Sequence, residues 1–297
     1  MCIWKKLFMK PNFFIVGGTK SATTNISYYL NEHSKVFVSE LNEPYYYCRF
    51  DVPKTFNRES MITDKKKYLD LFKKATNHQA IGEATSVYLH CPHAAAEIKK
   101  DNPESKIIIV IRNPIDKCYS SYFSYKFMNL DNRSFSEKID IFEKQIENDE
   151  FYIFNFIEQG FFSKHIKRYQ NVFSPDKIKI VFFEEYIKNV HAHIDSILEF
   201  LDISEKIELT VQPKNSYRIP KNKITELLLN SSKFRNLSTK IIPTVQRQKI
   251  GEKFFVKQTK IPEMSQNERK RLKKIYESEY EKLTTMLGKK PPWKDFL

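Results

Sequence analysis

The chain has 297 residues, 41% hydrophobic and 14% aromatic, with 50 Lys and Arg against 36 Asp and Glu, a formal net charge of +14. Such a chain can bury a sizeable core, and with only 6 glycines it is neither a flexible linker nor a low-complexity protein. The four cysteines, Cys2, Cys48, Cys91 and Cys118, are widely spaced, which predicts reduced thiols and argues against a disulfide framework or a structural zinc site.

Met1 to Lys10 carries an apolar patch too brief for a secretory core or a membrane span, so the expected location is the cytoplasm, with the inner membrane face as the alternative. Phe13 to Val16 reads as a buried strand that breaks at Gly17 and Gly18. Thr19, Lys20, Ser21, Ala22, Thr23 and Thr24 follow just as a helix begins. Glycines let backbone approach an anion, helix-start amides point at it, and a lysine and hydroxyls add charge and donors. The Gly-Lys-Ser/Thr ending of the nucleotide-triphosphatase loop is missing, because Thr19 precedes Lys20. Taken alone, the segment reads equally well as an ordinary strand-to-helix turn with a solvated lysine.

The next elements are a short strand at 36–38, a loop carrying Glu43, a helix over 65–74, a strand at 79–82 and a helix at 94–100. Five consecutive β-branched residues, Ile107 to Ile111, then run straight into Arg112, Asn113 and Pro114. Pro114 suits the first turn of a helix, predicted to run to about Phe127. Arg112 therefore sits at the carboxyl end of a central strand, and Ser120 lies about two helical turns on, able to share a ligand with it. A further strand is read over 178–185 and a helix around 197–201. Alternating strands and helices predict an α/β fold with a central parallel sheet flanked by helices and ligands outside the carboxyl ends of its strands. The expected organisation is one domain over 1–297, with an α/β core at 12–212 and a basic, mainly helical part at 213–297. From Lys214 to Leu297 there are 21 Lys and Arg against 8 Asp and Glu, nearly the whole excess of the chain. Ser265 and Glu268 have capping-box spacing, and Leu272, Tyr276, Leu283 and Leu287 recur at helical intervals, so 265–287 is predicted as one amphipathic helix.

The two anion-seeking segments together resemble the sulfotransferases that use 3′-phosphoadenosine 5′-phosphosulfate (PAPS), in particular the heparan-sulfate-type and bacterial carbohydrate branch. The resemblance extends to Glu43-Pro44-Tyr45-Tyr46, to Gly82-Glu83-Ala84-Thr85-Ser86-Val87-Tyr88, and to Gly160-Phe161-Phe162, in order along the chain. Two departures stand out: Ala22 where many members carry glycine, and Val87 where proline is often seen. The resemblance implies a P-loop-like three-layer fold in which Gly18, Thr19, Lys20, Ser21, Ala22, Thr23 and Thr24 hold the 5′-phosphosulfate. It implies Arg112 and Ser120 for the 3′-phosphate, and Lys214 and Arg218 in a basic segment closing over the nucleotide.

In that scheme Lys20 neutralises the leaving 5′-phosphate and Glu43 is the general base, with no metal required. Read from the residues alone, Glu43 is equally a loop carboxylate before a proline. Tyr46 and Glu83 are expected acceptor contacts, Glu83 alternatively a cap for the turn at Thr85 and Ser86. The acceptor class is a carbohydrate or glycolipid hydroxyl or amine, the basic surface hints at an anionic one, and peripheral membrane association fits the same charge. The competing readings are a nucleotide kinase using ATP and magnesium, and a basic nucleic-acid-binding protein. The +13 carboxyl-terminal balance is the only argument for the latter, which lacks a docking motif, so no nucleic-acid partner is expected.

Overall fold

The computed structural model describes residues 9–48, 61–127, 133–144, 155–209, 217–222, 224–225, 231, 256–259 and 261–297. The chain falls into two compact units, the first comprising 1–49, 61–111 and 166–211, the second 50–60, 112–165 and 212–297.

The first unit is built on five strands: β1 (Phe13–Gly17), β2 (Val36–Val38), β3 (Ala80–Ala84), β4 (Lys106–Ile111) and β5 (Ile178–Phe182). They form one parallel sheet in the order β2-β3-β1-β4-β5. Phe13 to Val16 and Ile107 to Ile111 are fully buried, the continuous apolar runs expected of strands covered on both faces. One face packs Phe13, Ile15, Ile108 and Val110 against α1 (Thr23–Leu30) and α8 (Val190–Phe200) through Ile26, Leu30, Ile194 and Leu198. The chain order reverses beside β1, so the loop leaving it lies at the topological switch point, where open α/β sheets take ligands.

Among the described residues the remaining α-helices are α2 (Lys65–Asp70), α3 (Ala94–Asp101), α4 (Pro114–Phe127), α5 (Phe135–Lys144), α6 (Phe162–Gln170), α7 (Phe183–Tyr186) and α9 (Gln266–Leu287). The second unit has its own core, where Ile115, Cys118 and Tyr122 of α4 meet Phe135 and Ile139 of α5 and Leu272 and Tyr276 of α9. Gly160 lies against the Tyr276 ring, whose atoms would come within 2.6 Å of an added Cβ, so this close approach requires glycine. Two antiparallel strands, β6 (Tyr217–Pro220) and β7 (Val256–Thr259), also belong to this unit.

Three boundaries differ from the sequence reading. The strand expected to reach 185 stops at Phe182, because Phe183–Tyr186 turns into α7. The helix expected over 65–74 ends at Asp70, and β3 extends through Glu83 to Ala84. The expected capping box on α9 is present: the Ser265 hydroxyl accepts from the Glu268 amide, and the Glu268 carboxylate accepts from the Ser265 amide.

Candidate active site

The β1 loop is shaped by backbone conformation. Gly17 has φ +144°, and a Cβ there would run into the Ser86 carbonyl oxygen and stand 2.7 Å from Leu89 Cβ, so only glycine serves. Lys20 and Ala22 both adopt left-handed backbone, with φ 61° and 67°. The position where the resembled sulfotransferases often carry glycine is thus one where alanine carries a steric cost. Ala22 is the N-cap of α1 and caps it with no side-chain hydrogen bond; its first turn has no acidic residue. The orphan amides and dipole of that turn therefore favour an anion from outside the helix. Lys20 and Thr24 are exposed beside it, whereas Ser21 and Thr23 are buried and turned inward, Ser21 Oγ donating to Thr19 O at 3.3 Å. Thr24 also accepts a 3.3 Å bond from Asn42 Nδ2.

Glu43 follows β2 in left-handed backbone, φ 57°. Its carboxylate accepts from the Ser86 hydroxyl at 2.6 Å and from the Ser86 amide at 3.0 and 3.1 Å. Since the Ser86 carbonyl walls the glycine turn, one residue ties the carboxylate to the β1 loop. Desolvation raises the Glu43 pKa to about 7 against the opposing pull of the Ser86 hydrogen bonds, which suits a base working near neutrality.

Glu83, expected as an acceptor contact, is instead fully buried. It accepts from Tyr68 OH at 2.7 Å, Thr85 Oγ1 at 3.0 Å and Tyr88 OH at 3.2 Å. Burial raises its pKa to about 7 as well. In this conformation it braces the turn after β3 through Thr85. Tyr46, partly exposed, stacks on Tyr68 with ring centroids 4.0 Å apart and so rests on the same network.

In the second unit, Arg112 directly follows β4, and Asn113 starts α4 by accepting the Ile115 amide at 3.0 Å. Helical spacing then sets Asp116 and Ser120 on one face. Arg112 and Ser120 share the wall of a cavity of about 400 Å³, together with Asp116, Tyr119, Met264 and Arg269. Arg269 reaches Asp116 at 2.7 Å and Asp295 at 2.8 and 2.9 Å. Desolvation opposes its charge, but the hydrogen bonds to the two carboxylates outweigh it and raise its pKa.

Lys214 lies outside the described residues, and Arg218 is on β6. Sequence reasoning named Ser86 as a turn residue but missed its clamp on Glu43, and it missed Arg269 and Asp295. The basic first half of the predicted 265–287 helix was the available signal for Arg269, and nothing local marked Asp295. Cys48, Cys91 and Cys118 are buried free thiols, as expected. Among the described residues no helix is long and apolar enough to cross a membrane.

Comparison with known proteins adds to this geometry. A profile described as "Sulfotransferase domain" matches residues 10–286. Carbohydrate sulfotransferase 15 of Mus musculus is 23% identical over 270 residues, covering 72% of this chain and 48% of that protein. Bifunctional heparan sulfate N-deacetylase/N-sulfotransferase 2 of Homo sapiens is 26% identical over 216 residues, covering 67% of this chain and 23% of that protein. The chain thus spans between about a quarter and a half of the length of these curated relatives. A crystal structure of a sulfotransferase from Alicyclobacillus acidocaldarius has the same fold, with a TM-score of 0.69, 22% identity, and coverage of 95% of this chain and 97% of that one.

Proposed function

Because this chain belongs to the sulfotransferase domain family, we propose that it moves a sulfuryl group from PAPS to a carbohydrate hydroxyl or amine. The donor supplies an activated sulfate on the 5′-phosphate, and the α1 amides with Lys20 receive that end. Arg112 and Ser120 receive the 3′-phosphate, and Lys214 and Arg218 belong to the segment that covers the nucleotide. Lys20 stabilises charge on the leaving phosphate, the term expected to dominate a transfer in which positioning and electrostatics do most of the catalysis. Glu43 takes the proton of the acceptor, and Tyr46 beside it offers a ring face to a sugar. Because a sulfuryl group carries less negative charge than a phosphoryl group, Lys20 and the helix amides meet the demand for charge stabilisation without a metal ion. We read the chain as one functional domain acting in the cytoplasm or at the inner membrane face.

The observation that carries this reading is that Arg112 and Ser120, eight residues apart in sequence, wall one cavity. The carbohydrate acceptor is supported by the names of the relatives that match over two thirds or more of this chain. Thermal unfolding with added nucleotide tests the reading. Adenosine 3′,5′-bisphosphate (PAP) should raise the midpoint, while stabilisation by ATP with magnesium and not by PAP would assign a kinase. Labelled donor offered to a panel of glycans and glycolipids then identifies the acceptor.

A further inference from the structure

Two acidic residues also line the cavity of Arg112 and Ser120: Glu263, which is exposed to solvent, and Asp116. Asp116 stands on the same α4 face as Ser120, where an unpaired negative charge would repel a dianionic phosphate and compete for Arg112. Arg269 closes on that carboxylate at 2.7 Å, with a side chain about one third exposed. Its other terminal nitrogen is held by both oxygens of Asp295 at 2.8 and 2.9 Å. Asp295 in turn accepts from Asn113 Nδ2 at 2.7 Å, and Asn113 is the neighbour of Arg112 and the cap of α4. The chain Asp116–Arg269–Asp295–Asn113 therefore links the carboxylate in the wall to the residue next in sequence to the cavity arginine. With Nη1 shared between both Asp295 oxygens and Nη2 on Asp116, the guanidinium is held from two sides, which an isolated surface pair would not do.

We propose that Arg269 is a positioning residue that masks Asp116, so that the cavity accepts a phosphate monoester through Arg112 and Ser120. Arg269 itself keeps its partners when the ligand is bound, and Asp295 holds it in register. The inference rests on the functional reading above, since it concerns the subsite assigned to the 3′-phosphate. Its consequence is specific: Arg269 governs discrimination between a nucleotide with a 3′-phosphate and one without.

The test is calorimetric titration of the full chain and its variants with PAP and with 5′-AMP, alongside each unfolding midpoint. Arg269→Ala should weaken PAP about tenfold and 5′-AMP much less, by exposing the Asp116 charge. Adding Asp116→Asn to Arg269→Ala should restore most of the PAP affinity, because the charge being masked is gone. Failure of that rescue overturns the inference, as does an equal loss for both nucleotides. Should Arg269→Ala not fold, Asp116→Asn alone decides: PAP should bind about threefold more tightly with 5′-AMP unchanged, and weaker PAP binding overturns the inference. If the unmodified protein does not prefer PAP to 5′-AMP, the functional reading fails first.

Discussion

The two regions proposed to receive anions are built by different means. In the first unit the receptor is mostly backbone: a glycine that cannot be replaced, two left-handed residues, and a helix start capped by no side chain, all within Gly17 to Thr24. In the second unit it is mostly side chains drawn from distant segments, with Asp116 and Arg269 separated by 153 positions. A backbone receptor tolerates change in side chains but not in φ and ψ, whereas a side-chain receptor depends on charge pairs that single substitutions upset.

The sharpest test of this contrast separates chemistry from binding. Glu43→Gln should lower turnover by ~10²–10⁴-fold and leave the PAP Kd nearly unchanged, and normal turnover in that variant would remove the base assignment. Turnover of the unmodified protein should rise with pH through about 7, as the raised Glu43 pKa passes from protonated to ionised, and a rate–pH profile lacking that limb would contradict it. Lys20→Ala and Arg112→Ala should both weaken PAP, the second by about 1.5–3 kcal/mol, the usual worth of a hydrogen bond to a charged group. Equal loss of 5′-AMP binding in Arg112→Ala would break the distinction between the regions.

Stability against pH compares the units next. Glu83 goes from an ordinary 4.5 to about 7 on burial, so between those values the folded chain holds a proton that the unfolded chain has lost. Stability therefore falls as pH rises from 4.5 to 7, by roughly 3 kcal/mol for this group, and Glu83→Gln should reduce the slope in denaturant titrations, leaving the share of Glu43 and Glu279, which burial also raises to about 7. Lys117 in α4 has the opposite sense. It is fully buried, donating to Gln159 Oε1 at 2.9 Å and Phe156 O at 3.3 Å, and desolvation lowers its pKa from 10.5 to about 7. The unfolded chain keeps that proton up to 10.5, so stability rises with pH from about 7 to 10.5, and Lys117→Met should remove the rise. The smallest expected effect is a gain: Ala22→Gly should stabilise the chain by about 1 kcal/mol by relieving left-handed backbone, and destabilisation would mean that the methyl group packs usefully.

The β1 loop, the Arg112 strand end and the capping-box helix were legible because each is written in contiguous residues: an apolar run, a glycine pair, a proline at a helix start, a serine three places before a glutamate. Glu43 was legible as a residue but not as a geometry, since its clamp is Ser86, which β3 brings to it. For Glu83 the sequence left acceptor contact and turn cap open, and its burial was not legible because it depends on the convergence of Tyr68, 15 residues away, with Tyr88 and Thr85.

What the amino-acid sequence determined by itself was the order of strands and helices, the glycine-broken β1 loop and the arginine after the central strand, because periodicity and turn chemistry act over a few residues. Tertiary structure alone decided which carboxylate stays partly open and which is sealed, and which arginine is taken up by two aspartates. Burial and charge pairing depend on neighbours far along the chain, and only the packed fold sets those distances.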